Sequence, residues 1–325
     1  MSSNVAVDGD RLWRSLMDMA KIGATPAGGC NRQALTDEDK AGRDLFVTWC
    51  DDAGLAVRVD AMGNIFARRA GRTDGPAIIA GSHLDTQPTG GKFDGVYGVL
   101  AGLEVLRTLN DAGIETELPF EAVVWTNEEG ARFAPAMVGS GVWAGEFTLE
   151  DAYSKADKTG ATFGGELDRI GYRGDTPAVH SPLTGAFEVH IEQGPILERE
   201  GKQIGVVTGV QGMRWYDVVL RGDACHAGPT PMEIRRDPMR TLSVILPKLY
   251  QLAADHAPWG RITFGDQTVR PGSRNTVPES VTLSVDMRHP DQSTLDAMHE
   301  SLHAIVSDAA SRTATESEII DQWNS

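Results

Sequence analysis

PAIIAGSHLDTQPTGGKFDGVYGVLAGLEVLRTL, residues 76–109, sets the fold and the chemistry of this chain together. PAIIAGSH is a short apolar run bounded by turn residues and predicts a buried strand that delivers His83. VYGVLAGLEVLRTL has helical periodicity and predicts a helix over 96–112, ended by Gly113. The glycine-rich loop between them carries His83, Asp85 and Asp94. A further apolar strand follows in FEAVVWTNEEG, residues 120–130, and it too ends in acids. Strand, helix and strand with the chemistry at the strands' carboxyl ends is the α/β pattern, in which sites gather outside those ends. An imidazole and two carboxylates on such a loop are donors that a hard or borderline divalent cation accepts.

The bulk of the chain narrows the class. Its 325 residues suffice for two domains, and 41 % hydrophobic with 23 % charged residues is ordinary for a globular protein. With 46 acidic against 30 basic residues the net charge is −16. That opposes binding to a phosphate backbone, which is driven by Lys and Arg, so no nucleic-acid partner is expected. Neither a membrane span nor a signal sequence is expected, since no apolar run is long enough and the start MSSNVAVDGDRLWRSL has no apolar core. Cys30, Cys50 and Cys225 are odd in number and widely spaced, which fits reduced thiols and a cytoplasmic location.

Around the organising stretch, residues 8–23 predict an amphipathic helix and Thr36 caps a second one that ends by Gly54. LAVRVDAMGNIFARRAG predicts a hairpin turning at Gly63-Asn64. Residues 140–173 read as helices joined by Gly- and Asp-rich loops. From about residue 213 the pattern changes to strand, helix, two strands, helix and strand, a ferredoxin-like order that predicts a separate α+β domain. The expected domains are therefore 1–212 and 213–325.

Several residues could carry chemistry. In an extended chain Asp85 lies on the same side as His83 and could accept its second ring N–H, fixing the tautomer. Asp94, in GGKFDG, is placed to bridge two cations if it is more than a turn residue. Glu128 and Glu129 are adjacent and point oppositely, so one could bind metal while the other serves as general base. His190 lies in FEVHIEQGPILE with Glu192 and Gln193 beside it. Singly, each of these is as well explained by loop or strand-end solvation. Jointly, His83, Asp94, Glu129 and His190 all fall at predicted strand ends or adjoining loops, which favours one metal centre. In GDACHAGPTPMEIRRD, His226 could be a ligand, a donor to an oxyanion, or an ordinary loop residue. Asn275 and Arg288 could bind a substrate carboxylate or simply face solvent. His299 and His303 have i, i+4 spacing on a predicted helix, where solvation is the simpler reading.

Five segments in order, GSHLDTQPTGGKFDGVYG, NEEGARF, HIEQGP, GDACHAGPTPM and SRNTVPESVTLSVDMRHP, resemble the M20 metallopeptidase superfamily. Within it the chain is most similar to the hydantoinase/carbamoylase branch, which holds N-carbamoyl-L-amino acid hydrolases, allantoate amidohydrolases and β-ureidopropionases. The histidine of HIEQGP carries that finer resemblance.

The resemblance implies a metallopeptidase-like catalytic domain, with a central mixed sheet flanked by helices, and a ferredoxin-like lid and dimerisation domain. It implies two divalent ions per subunit (Zn, or Mn, Co or Ni), with Asp94 as the bridge, His83 and His190 on one ion and Glu129 on the other. It makes Glu128 the general base and Asp85 the residue that orients His83. His226 would reach into the site of a partner subunit and stabilise the oxyanion, while Gln193, Asn275 and Arg288 bind the substrate. It further implies a glycine-flanked histidine as last ligand of the second ion, in a segment beyond residue 325, so residues 1–325 are expected to leave that ion one ligand short. The expected reaction is hydrolysis of a linear C–N bond in an N-carbamoyl amino acid. The alternatives are an allantoate or β-ureidopropionate substrate, an aminoacylase- or dipeptidase-like hydrolase, or a non-catalytic dimerisation protein.

Overall fold

The computed structural model describes residues 5–324, which fall into two compact units divided between Gln203 and Ile204. The sheet of the second unit begins at Gly212, where the sequence pattern changes.

The first unit opens with α1 (Gly9–Met19) and α2 (Asp37–Asp52), and Thr36 accepts from the Asp39 N–H to cap α2 as its hydroxyl predicts. Strands β1 (Ala56–Val59), β2 (Ile65–Arg69) and β3 (Ala77–His83) follow, then α3 (Val96–Asp111) and β4 (Phe120–Trp125). Helices α4 (Val138–Ala144), α5 (Leu149–Ser154) and α6 (Phe163–Ile170) occupy the stretch read as helical, ahead of β5 (Leu183–Phe187) and α7 (Ile196–Arg199). The sheet order is β1-β2-β4-β3-β5. The β3 strand is parallel to β4 and β5, whereas β2 runs antiparallel to β1 and β4, so the sheet is mixed. Leu16, Met19, Phe46, Val99, Leu103 and Val124 belong to the main core, and Phe66, Ile79 and Val123 form a smaller cluster with Trp125 and Trp143.

The hairpin differs from a two-residue turn at Gly63-Asn64. The loop spans 60–64, and Asp60 Oδ1 accepts from the N–H groups of Met62 and Asn64 at 2.9 Å each. Asn64 is buried, donating to Asp60 and to Gly139 O and accepting from Thr126 N at 2.9 Å. A polar side chain can leave the surface when its donors and acceptor are all engaged.

Arg43 ties this region together. Fully buried against an equally buried Asp39, it bonds that carboxylate at 2.9 Å, Gly63 O at 2.8 Å and Thr126 Oγ1 at 3.3 Å. It thereby joins α2 to the hairpin and to the end of β4, directly before the acidic pair. Arg43→Ala strands the Asp39 charge in the interior, which costs about 3–5 kcal/mol. Urea unfolding measures it, and a loss under about 1 kcal/mol would mean the buried pair carries none of this weight.

The second unit runs β6 (Gly212–Arg221), β7 (Cys225–His226), α8 (Pro238–Asp255), β8 (Arg261–Thr263), β9 (Gln267–Arg270), β10 (Thr276–Val277), β11 (Ser280–His289), α9 (Gln292–Arg312) and β12 (Glu316–Asn324). Its sheet order is β12-β6-β11-β8, with β9 also on β11, and its core joins α8 and α9 to the strands. This is the ferredoxin-like order. Between β8 and β9 the Asp266 N–H bonds the Ser284 hydroxyl at 2.8 Å, while the Ser284 N–H donates to Asp266 O at 3.0 Å.

Candidate metal centre

The parallel strands β3 and β4 end side by side, with His83 in register with Trp125. His83 therefore stands beside the chain that turns through Thr126 into Asn127-Glu128-Glu129. Asn127 takes a positive φ of 53° and is buried, its amide donating to Phe133 O at 2.8 Å. This bend aims the two N–H groups that follow at one carboxylate: Asp85 Oδ1 accepts from Glu128 N and Oδ2 from Glu129 N, each at 3.2 Å.

The expected Asp85–His83 pairing is corrected accordingly. His83 Nδ1 lies 2.8 Å from the backbone oxygen of Asp85, while its carboxylate is 3.9 Å away. Strand β3 ends at His83, so the same-side rule for i and i+2 lapses and the Asp85 side chain swings to the acidic loop.

The tautomers follow from these partners. A carbonyl cannot donate, so His83 Nδ1 carries a proton, and in the neutral ring Nε2 then keeps its lone pair. His190 repeats the arrangement, with Nδ1 2.9 Å from Ile191 O and Nε2 accepting from the Gly95 N–H at 3.2 Å. His190 Nε2 also faces Asp94. His83, Asp94 and His190 offer ligand atoms all within 4.8 Å of one another, and His190 Nε2 is 3.2 Å from Asp94 Oδ1.

Asp94 Oδ1 and Glu129 Oε1 are buried without a hydrogen-bond partner. Lone pairs that converge with no proton between them repel, and a divalent cation is the group that turns this into binding. Among the described residues no Lys or Arg forms an ion pair with Asp85, Asp94, Glu128 or Glu129. The donor set, two imidazoles and carboxylates, thus fits Zn, Mn, Co or Ni.

The site's own field also favours positive charge. At His83, burial lowers the pKa, but Asp85, Glu128 and Glu129 outweigh it and the net direction is up. Burial pushes Glu128 up to about 7, with His83 opposing and Asp85 and Glu129 adding to the rise. Burial raises Glu129 as well, against the hydrogen bond that Gln87 gives it at 3.1 Å. Glu128 Oε2 lies 3.4 Å from His83 Nε2, and its side chain is 33 % exposed where that of His83 is 3 %. Glu128 is thus within reach of an incoming molecule.

Gln193, expected on the substrate, donates to Asp94 Oδ2 at 2.6 Å and orients that carboxylate. Glu129 stands outside the three-residue cluster and is held by Gln87.

Neither Gly95 nor Gln87 is among the candidate site residues of the sequence. At φ 66° a Cβ on Gly95 would lie 2.4 Å from the His83 ring. Gly95→Ala is expected to displace His83 and weaken metal affinity by roughly 10–100-fold, the range for losing a support of a ligand. Calorimetric titration with Zn or Mn checks it, and unchanged affinity would contradict the tight packing seen here.

In the second unit, His226 pairs with Thr276 across β7 and β10, and the Ala227 N–H donates to Asn275 O at 2.9 Å, so His226 and Asn275 are neighbours. Arg288 is on the exposed side of β11, with Asp286 as its carboxylate partner at 2.7 Å. His299 Nδ1 is 2.8 Å from the Tyr216 hydroxyl, and its ring is 4.4 Å from that of His303.

Residues 79–323 match the peptidase family M20/M25/M40. The chain belongs to that family. An N-carbamoyl-L-amino-acid amidohydrolase of Rhizobium meliloti is 52 % identical over 302 residues, 93 % of this chain and 73 % of the relative. An allantoate amidohydrolase of Bacillus subtilis is 36 % identical, over 89 % of this chain and 71 % of the relative. A crystal structure of an amidase of the hydantoinase/carbamoylase family from Burkholderia vietnamiensis superposes with a TM-score of 0.96 at 54 % identity, covering 100 % of this chain and 79 % of that one. The M20 mixed sheet flanked by helices is thus the fold that the resemblance implies, and it contains the α/β pattern of residues 76–130. No helix among the described residues is long and apolar enough to cross a membrane.

Proposed function

We propose that this M20 protein is a metal-dependent amidohydrolase whose substrate is an N-carbamoyl-L-amino acid, released as the amino acid, CO2 and ammonia. The observation that carries the reading is the convergence of the His83, His190 and Asp94 lone pairs beside an accessible Glu128. The 52 % identity to an enzyme named for this reaction gives the substrate class.

His83, His190 and Asp94 would hold one divalent ion, and Asp94 with Glu129 would contribute to a second. When bound, such ions lower the pKa of water and polarise the scissile carbonyl. Glu128 takes the proton from water as it adds to the carbamoyl carbon, then passes it to the departing amino acid nitrogen. Asp85, gripping the N–H groups of Glu128 and Glu129, holds the acidic loop against β3. Gln193 sets the Asp94 carboxylate, while Asn275 and Arg288 engage the substrate's polar groups, Arg288 exchanging Asp286 for its carboxylate.

His226 donates to the developing oxyanion. Its Nδ1 accepts from the Gly228 N–H at 3.1 Å, which places the proton on Nε2, the reverse of the two metal-site histidines. An outward N–H suits a donor and not a ligand. We place the protein in the cytoplasm as a homodimer through the ferredoxin-like unit, one subunit's His226 serving the other's site.

The similarity to an allantoate amidohydrolase supports a second reading, a ureido acid substrate. Parallel assays on N-carbamoyl-L-amino acids, allantoate, N-acetyl amino acids and dipeptides separate these. Turnover is expected for the carbamoyl compound first, and exclusive turnover of the acetyl or peptide compounds would sink the proposal.

A further inference from the structure

His226 owes its tautomer to the turn in which it sits, and that turn is held by a residue that nothing so far accounts for. Arg235 is half-buried, and among the described residues it forms no ion pair. Its guanidinium instead donates to carbonyls of the turn: Nη2 to Ala227 O at 2.7 Å and to Thr230 O at 2.8 Å, and Nε to Thr230 O at 3.1 Å. Both carbonyls lie within four residues of His226. Across the same turn, the Thr230 N–H donates to His226 O at 3.3 Å and the Gly228 N–H to His226 Nδ1.

The anchor itself is fixed. Arg235 follows a short 3-10 turn, Met232–Ile234, and Arg236 behind it bonds Ala314 O. Asp237 then caps α8, accepting from the Met239 N–H. On the far side the turn is secured by the Ala227 N–H to Asn275 O. His226 itself is exposed, and its Nδ1 is held by the Gly228 N–H of the turn. The turn thus sets which ring nitrogen carries the proton.

We infer that Arg235 is a positioning residue that clamps the 226–230 turn and so keeps His226 in the Nε2–H form, ready to donate. The planar fork is essential, because one side chain must satisfy two carbonyls from fixed directions, and a lysine ammonium at the same charge cannot. The inference rests on the proposed role of His226 for its kinetic consequence, though not for the tautomer.

Two readouts on the full chain separate these. Nitrogen-15 NMR of the His226 ring, assigned with His226→Ala, is expected to show a bare Nδ1 and a protonated Nε2. Arg235→Lys should give a mixture of the two tautomers, with the melting temperature within a few degrees of the parent. In turnover of the N-carbamoyl substrate, Arg235→Lys should lower kcat roughly 10–100-fold, the scale of an ångström-sized misplacement, with KM unchanged. In the His226→Ala background the same change should add nothing, and guanidinium ion should partly rescue Arg235→Ala. An unchanged His226 spectrum in Arg235→Lys, or losses that multiply in the double variant, would overturn the inference. If His226→Ala keeps full turnover while the tautomer still depends on Arg235, the clamp stands and the proposed role of His226 falls.

Discussion

Glu128→Gln is expected to lower kcat by about 10²–10⁴-fold while leaving metal content and KM close to the parent values. The substitution keeps the shape and the hydrogen-bonding reach of the side chain and removes only its basicity. Two observations make so large an effect follow. Glu128 is partly exposed and lies 3.4 Å from His83 Nε2, so it can meet water and substrate together. Its backbone N–H is held by Asp85 Oδ1 at 3.2 Å, so the substitution leaves the loop that positions it intact. Steady-state kinetics beside elemental analysis decides the matter. Residual turnover within tenfold of the parent would assign proton transfer to another group.

Asp94→Ala should act on the other half of the site. It removes the one oxygen that faces His190 Nε2 and lies within ligand range of His83, and it leaves the two imidazoles without a carboxylate between them. Losing a group that merely supports a ligand weakens binding about 10–100-fold, so loss of the ligand itself should cost at least the upper end. Turnover should fall with it. The metal-free protein is expected to respond in the opposite sense. Asp94 is a buried carboxylate among three others, with Oδ1 unpartnered, so its removal relieves repulsion and should leave the melting temperature of the chelated protein unchanged or raised. Calorimetric metal titration and thermal melts in chelator test both halves. A variant that binds metal as tightly as the parent would remove Asp94 from the centre.

Much of this was legible in the chain, for reasons that differ from residue to residue. His83, Asp94 and His190 stood out because each lies at or just beyond a strand end on a loop rich in glycine or acids. The order of the ferredoxin-like unit was legible because β6 and β11 alternate buried and more open residues along their length. The direction of hydrogen bonds was not legible. Asp85 was expected on the His83 ring, yet its carboxylate went to the Glu128 and Glu129 N–H groups once β3 ended. Gln193 is aimed at Asp94, 99 residues away, and no local pattern announces such a partner. Nothing in the sequence around Arg43 and Arg235 marks them out, and only the fold reveals that one is buried under the hairpin and the other braces a turn.

The most direct test joins metal and chemistry in one preparation. The protein is stripped with chelator, then titrated with Mn or Zn while hydrolysis of an N-carbamoyl-L-amino acid is followed by ammonia release. The account predicts no turnover in the stripped protein and activity that rises with bound metal, with both metal binding and activity strongly reduced in Asp94→Ala. Full turnover by metal-free protein, or metal bound tightly with His83 and His190 both replaced by alanine, would contradict it.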